Sequence, residues 1–348
     1  MLPKYIFSFL LAVLCFGPAL TQAQTPQTAN EYMSYLGDRE SELSKKYLSY
    51  MSEAAHGNRA RKLEKRRQEL LTGIRQSLAD ANKLKPFNGD ASLRDAFKAY
   101  WDVLFKVFNE DYDKIVNMEE IAEQSYDNME AYLLAQEKAG DVLATAYGRI
   151  DPVLHDFAAK NNVRIIENDT RLSRKLREVG SANGYYHQLY LIFFKGVKQD
   201  LYVTDAFNKK DLNSLEQNRS TLLKFATEGL KRLDTCQAYK GDNSVVSACR
   251  KVLEFHKKEA EKDVPVQADF LLKNREFEKM KKTFDAKPAS KRTQEDVDRY
   301  NKAVNDINTS LGAANKTLTD VNKEREKVLN SWDSASKKFM ESHVPRGN

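Results

Sequence analysis

The sequence predicts an all-α protein, an elongated bundle of long antiparallel helices with a coiled-coil-like C-terminal helix. Three observations lead there. From Val297 to Phe339 core-type positions recur in alternating steps of three and four: Tyr300, Val304, Ile307, Leu311, Ala314, Leu318, Val321, Arg325, Val328, Trp332 and Ala335 lie between the ends. Only Arg325 breaks the apolar run, and a 3.5-residue repeat holds one seam on one side of a helix. Glycine is scarce, 14 in 348 residues, while charged residues make up 30 %, a balance that suits solvated helices better than a sheet. The one short β-like run, Val163 to Glu167, makes no sheet alone.

The amino terminus has the layout of a secretion signal. Lys4 supplies the positive charge, Tyr5 to Phe16 the apolar stretch, Gly17-Pro18 the break, and Thr21-Gln22-Ala23 a small-x-small site for cleavage after Ala23. The apolar part is short for a membrane span and polar sequence follows it, so no transmembrane helix is expected after residues 1–23 leave. A retained anchor is the alternative. Cys15 lies between Leu14 and Phe16-Gly17-Pro18, a poor setting for lipidation. Cleavage leaves Cys236 and Cys249, and an even thiol count in an oxidising compartment favours a disulfide. Bridging so short a loop stabilises by about 3 kcal/mol in the chain-entropy model. Two free buried thiols are the alternative, and no C-x-x-C motif points to redox catalysis.

The remaining chain, about 325 residues, is ample for a core. A first helix over about 29–55 buries Tyr32, Leu36, Leu43, Tyr47 and Tyr50, and His56-Gly57-Asn58 turns it. A second carries Ala60, Leu63, Leu70, Ile74 and Leu78 toward Pro86. The third opens at Asp90, a good N-cap, and runs through Leu93, Phe97, Trp101, Leu104 and Phe108. It continues, or restarts near Met118, toward Tyr132 and Ala146, and Asn161-Asn162 closes an N-terminal half at 24–162.

Val163 to Glu167 then crosses to a C-terminal half, 163–348. The two halves pack as one domain or stand apart. Gly180 and Gly184 are candidate breaks in the next helix. Tyr185 to Phe207 is apolar nearly all round, which in a soluble protein means burial on several sides. Helices over 215–233 and 245–260 flank a turn at Tyr239 to Ser244. A loop over 285–296 joins an antiparallel partner to the last helix, from about Thr293 to His343 and roughly 75 Å long. Pro152 and Pro265 predict kinks or restarts. Beyond the heptads no repeat of fixed period is visible.

No catalytic constellation appears, and no cofactor is implied. Glu53-Ala-Ala-His56 is a single Glu-x-x-His pair, whereas di-iron bundles need two with further carboxylates. The acidic run Glu110, Asp111, Asp113, Glu119, Glu120, Glu123 and Asp127 lacks the glycine turn of a calcium loop and reads as a solvated face. One basic cluster stands out: Arg59, Arg61, Lys62, Lys65, Arg66 and Arg67. It is either an interaction patch for acidic groups or a charged helix face paired with Glu64 and Glu69. Net charge is only +6, with 56 basic against 50 acidic residues, which implies no polyanion partner, and export disfavours nucleic acid. Arg325 either snorkels out of its seam or pairs with a neighbouring helix, since a lone buried charge is too costly.

Three stretches, Asn109 to Asp127, Tyr190-Leu-Ile-Phe-Phe-Lys195 and Tyr239-Lys-Gly-Asp-Asn243, resemble a leptospiral-type surface protein family that also occurs in Bacteroidota. The resemblance implies an envelope or surface location and carries no functional residue, because none of these stretches is a catalytic motif.

The expected function is that of an exported, non-enzymatic envelope or surface protein, presenting helical faces to another envelope or surface protein. One alternative is a periplasmic binding protein holding a small apolar ligand or a metal inside the bundle, with Tyr185 to Phe207 as lining. An envelope hydrolase using scattered carboxylates is a third. The last helix either packs within the chain or zips to a second copy; other amphipathic helices in need of neighbours favour the former.

Overall fold

A computed structural model describes residues 26–56, 60–111, 122–166 and 169–347; the signal segment and Cys15 lie outside them. The protein is all-α. Ten α-helices occur among the described residues: α1 Ala29–Ala55, α2 Ala60–Lys83, α3 Ser92–Lys106, α4 Tyr126–Gly148, α5 Ile150–Lys160, α6 Arg171–Asn208, α7 Leu212–Leu233, α8 Ser244–Lys258, α9 Val264–Ala286 and α10 Gln294–His343. The chain divides into two compact units, Met1–His187 with Lys337–Asn348, and Gln188–Ser336. That division passes through α6 and α10, not along the extended stretch after Asn162.

Local chemistry sets the helix ends. Thr28 and Glu31 form a reciprocal capping box that starts α1, each side chain bonding the other's backbone N–H. Pro152 and Pro265 each lie in the first turn of a helix, α5 and α9, where a missing N–H costs nothing. Both are restarts. Gly180 and Gly184 do not break α6, which runs on for 38 residues.

In the first unit, Trp101, Phe108, Phe157, Tyr32 and Leu36 are among the side chains that seal the core. One carboxyl is buried with them. Glu40 is 3 % exposed, accepting from Trp101 Nε1 at 2.8 Å and from Ser44 Oγ at 3.0 Å. Burial pushes this carboxyl up to about 7, outweighing the two hydrogen bonds that favour its charged form.

The helices α1–α3 recur as α6–α8. A tight turn precedes both α3 and α8, with positive φ at Asn88 (52°) and Gly89 (85°) and at Lys240 (49°) and Gly241 (88°). Two successive positive φ values define a type I′ turn, which favours glycine at its second position. Phe87 exchanges backbone hydrogen bonds with Asp90, as Tyr239 does with Asp242. Each aspartate Oδ1 then accepts from a serine N–H at 2.8 Å, Ser92 in one case and Ser244 in the other. So Asp90 closes the turn and caps α3 from two residues ahead of it.

Each serine opens a 15-residue helix that runs straight into a five-residue π turn, Val107–Asp111 or Glu259–Asp263. On the preceding helix Arg67 pairs with Glu64 at 2.8 Å and donates to the Phe108 carbonyl at 2.8 Å. Arg219 pairs with Glu216 at 2.8 Å and donates to the Ala260 carbonyl at 3.4 Å. All counterparts keep one offset, the separation of Ser92 from Ser244. No fixed-period pattern marks this repeat in the sequence, because the shared features are joints. Core residues differ: Trp101 has Leu253 as its counterpart, and Glu40 has Ile192.

Candidate functional site

The polar constellation of the second unit begins with the seam of α10. Trp332 lies flat on Phe193 of α6, centroids 4.1 Å apart and rings 10° from parallel. One heptad further along α6 stands Asp200, and one heptad back along α10 stands Arg325. The antiparallel heptad register therefore places a cation opposite an anion. Arg325 Nε donates to Asp200 Oδ2 at 2.7 Å and Nη2 to Oδ1 at 2.9 Å, a two-pronged pair. Nη2 also donates to Glu259 Oε1 at 2.6 Å, and Nη1 to Asn322 Oδ1 at 2.6 Å. The guanidinium sits 5.7 Å from the ring centre of Phe255. Arg325 pairs; it does not snorkel.

One guanidinium here meets two buried carboxyls, Asp200 at 3 % and Glu259 at 1 % exposure. Burial first, and the neighbouring Asp200 second, push Glu259 far above the usual carboxyl range. Of the groups around the guanidinium, Glu259 is thus the carboxyl that burial favours in its protonated form. Glu259 Oε2 receives no hydrogen bond from another group among the described residues, and Glu259 lies within hydrogen-bonding reach of the Asp200 carboxyl, a contact two carboxyls make only when one of them carries a proton. His256 is also sealed, with Nε2 3.8 Å from Asp200 Oδ2, beyond hydrogen-bond range. Burial lowers the imidazole to about 4, so it is neutral at pH 7.

Two carboxyls and a histidine converging would suit acid–base chemistry if a substrate could reach them. Here the guanidinium already takes up both carboxyls, and each of the three acid–base groups is buried. The first copy of the repeat shows what the charges are for. Asp200, His256 and Glu259 have Leu48, Leu104 and Val107 as counterparts, all apolar and buried. The three-helix repeat folds without these charges, and the copy that has them is the one Arg325 enters. The π turn occurs in both copies, so it belongs to the architecture and does not mark a site. The cluster docks α10.

Gly196 of α6 completes this packing. A Cβ there would lie 2.7 Å from His256 Nδ1, inside the distance real contacts reach. Alanine would gain about 1 kcal/mol of helix propensity, and overpacking costs about 1–3 kcal/mol. The sealed ring cannot give way, so Gly196→Ala is expected to fall at the upper end of the net of these two and destabilise by up to about 2 kcal/mol. Nothing lies within 4 Å of a Cβ at Gly180 in the same helix. There Gly180→Ala is expected to stabilise by about 1 kcal/mol. Thermal melts of the two variants should shift in opposite directions; two shifts of the same sign would refute the packing at His256.

The residues singled out by sequence do not gather into a site. Cys236 and Cys249 are free thiols, where an even thiol count in an oxidising compartment favoured a disulfide. Cys236 Sγ donates back to the Arg232 carbonyl at the end of α7. Cys249 lies on the buried face of α8, its Sγ 4.0 Å from the Leu189 carbonyl. Burial raises the Cys249 thiol to about 12, which makes it unreactive.

Of the basic cluster, Arg59 lies outside the described residues, Arg61, Lys62 and Lys65 are exposed, and Arg66 and Arg67 are half-buried. Arg66 reaches Glu69 at 2.9 Å, Lys65 comes within 3.9 Å of Glu69, and Arg67 is held by Glu64 and the Phe108 carbonyl. Lys65, Arg66 and Arg67 are thus paired along the helix face. In the acidic run Asp113, Glu119 and Glu120 lie outside the described residues, as does the Asp111 side chain; Glu110, Glu123 and Asp127 are exposed. Glu53 turns to Arg66 at 3.8 Å and His56 Nδ1 to the Ser52 carbonyl, so that pair does not converge. Among the described residues no three His, Cys, Asp or Glu side chains are placed to share a metal ion. No described helix is long and apolar enough to cross a membrane.

No protein-family model, curated protein or solved structure matches this chain.

Proposed function

We propose that this chain is an exported, non-enzymatic protein of the bacterial envelope or surface that presents a helical face to another envelope protein. One observation carries the reading. Between residues 272 and 306, the outer part of α9 and the first turns of α10, no residue is buried. The two helices still form an ordered hairpin. Tyr300 stacks on Phe284 with centroids 4.4 Å apart and tilts against Phe277 at 5.9 Å, and Lys287 pairs with Asp296 at the base of the loop. A hairpin closed by its own rings leaves two outer faces to solvent, the kind of surface that partner helices use. The signal layout at residues 1–23 and the family resemblance support export.

The rival, a ligand held inside the bundle, has less behind it. Tyr190, Phe193, Phe194 and Trp332 pack ring against ring, two of the four contacts stacked and two tilted, so a guest would have to displace them. The test is made in the source cell. Mature protein should begin at Gln24 and fractionate with the envelope. Photo-crosslinkers at Asp298 and Asn301, exposed on the hairpin, should give one discrete adduct with an envelope protein, and a crosslinker at Asp141 on α4 should not. A cytoplasmic chain still bearing Met1, or equal labelling from all three positions, would contradict the proposal.

A further inference from the structure

Where α9 leaves the helices of the second unit, it passes the turn between α6 and α7 and forms a cleft of about 790 Å³. Five basic side chains line it against two acidic ones, Asp211 and Glu278. Lys209 and Lys210 come from the turn. Arg275, Lys279 and Lys282 come from α9, and steps of four and three put them on one helical face. The folded chain therefore sets a stripe of cations opposite two consecutive lysines, which costs free energy wherever the charges stay uncompensated.

Elsewhere on α9 the chain avoids that cost. Lys273 pairs with Asp269 at 2.8 Å and Lys281 with Asp285 at 2.6 Å, each with an acid one turn away. Lys209 has Asp205 at 2.7 Å. Lys210, Arg275, Lys279 and Lys282 make no ion pair among the described residues. Asp211 is spent on capping α7 through the Ser214 N–H and hydroxyl. Cations on one helix are thus paired on the side away from the cleft and unpaired on the side toward it.

The floor is of the opposite character. Leu271 is buried beneath the cations, and Leu212 is shared with an adjoining cleft of about 390 Å³. That second cleft runs along Pro265, Ala268 and Leu272, the last 37 % exposed. Its charged members are already neutralised, Asp269 by Lys273 and Glu216 by Arg219. A cationic pocket thus opens onto an apolar track.

The geometry points to a binding site for a phosphorylated amphiphile: its phosphate group among Lys210, Arg275, Lys279 and Lys282, and its first carbons along Leu212, Leu271 and Leu272. The cations of α9 belong to the same hairpin as the proposed partner surface, but phosphate binding is read on the isolated chain and so stands or falls without that partner; the site lies outside the buried cluster at Arg325.

Titration calorimetry of the mature chain tests it with three probes: dihexanoyl phosphatidic acid below its micelle concentration, inorganic phosphate, and dihexanoyl phosphatidylcholine. Phosphatidic acid should bind saturably at one per chain. Phosphate should bind at least about tenfold more weakly, because it lacks the two or so methylenes that the track covers. Phosphatidylcholine, whose choline cancels the charge, should not bind. The double variant Lys279→Glu, Lys282→Glu changes only exposed side chains, so its circular-dichroism melt should match the wild type while phosphatidic acid binding falls at least about tenfold. Leu272→Ser should weaken phosphatidic acid and leave phosphate unchanged. Absence of saturable phosphatidic acid binding, its persistence in the double variant, or equal affinity for free phosphate would each overturn the assignment.

Discussion

Replacing Arg325 by methionine is expected to destabilise the second unit by about 3–5 kcal/mol, because it leaves two buried carboxyls with no cation. Methionine keeps the unbranched stem over Phe255, so the loss is one of charge more than of volume. Asp200 and Glu259 are 3 % and 1 % exposed, so water cannot take the place of the guanidinium. A variant that also carries Asp200→Leu and Glu259→Met should recover to within about 1 kcal/mol of wild type, because apolar residues commonly replace a buried ion cluster at no net loss. The first copy of the repeat already works that way, with Leu48 and Val107 in those places. Urea unfolding at constant slope reads both effects. A single variant that loses less than about 1 kcal/mol would mean the cluster is incidental to docking.

Glu40→Gln is expected to stabilise the first unit, and only at high pH. Burial raises the Glu40 carboxyl to about 7 from its ordinary 4.5, so the folded state holds this proton more tightly than the unfolded chain does. The stability that the bound proton confers is fully present below about pH 4.5 and is lost as pH rises through 7. Glutamine cannot ionise. Its carbonyl still accepts from Trp101 Nε1, and its amide faces Ser44 Oγ. Near pH 8 the variant should therefore exceed wild type by about 3 kcal/mol, and near pH 4 the two should coincide. Melting curves at both values decide it, and a gap that is the same at pH 4 and pH 8 would show that Glu40 ionises freely.

Helices proved readable where one side chain pattern fixed one face. The ends of α1, the restarts at Pro152 and Pro265, the turn at Tyr239 to Ser244 and the span of α10 all follow from caps, prolines and heptads. At one notch the seam slips: Leu311 is 40 % exposed, and Ser310 is buried in its stead with its hydroxyl on Asp269 at 3.2 Å. Periodicity ranks positions by apolarity and so cannot choose a serine that has a carboxylate to bond. The cluster at Arg325 was half legible. A cation in an apolar seam demands a partner, but Asp200 and Glu259 lie on other helices, and only the antiparallel register brings them to it. The repeat went unseen for a related reason. Turn geometry and a carbonyl gripped by an arginine persist while Trp101, Glu40 and Leu48 give way to Leu253, Ile192 and Asp200. The cysteines misled, because spacing along the chain does not say which way a thiol points.

Amide hydrogen exchange along α10, in wild type and in Arg325→Met, tests the docking role of the buried charges most directly. In the wild type, amides from Val321 to Trp332 should exchange only when the whole second unit opens. In the variant the same amides should exchange at least about a hundredfold faster while those of α8 keep more of their protection. Fast exchange over Val321 to Trp332 in the wild type, or identical protection in the two proteins, would contradict it.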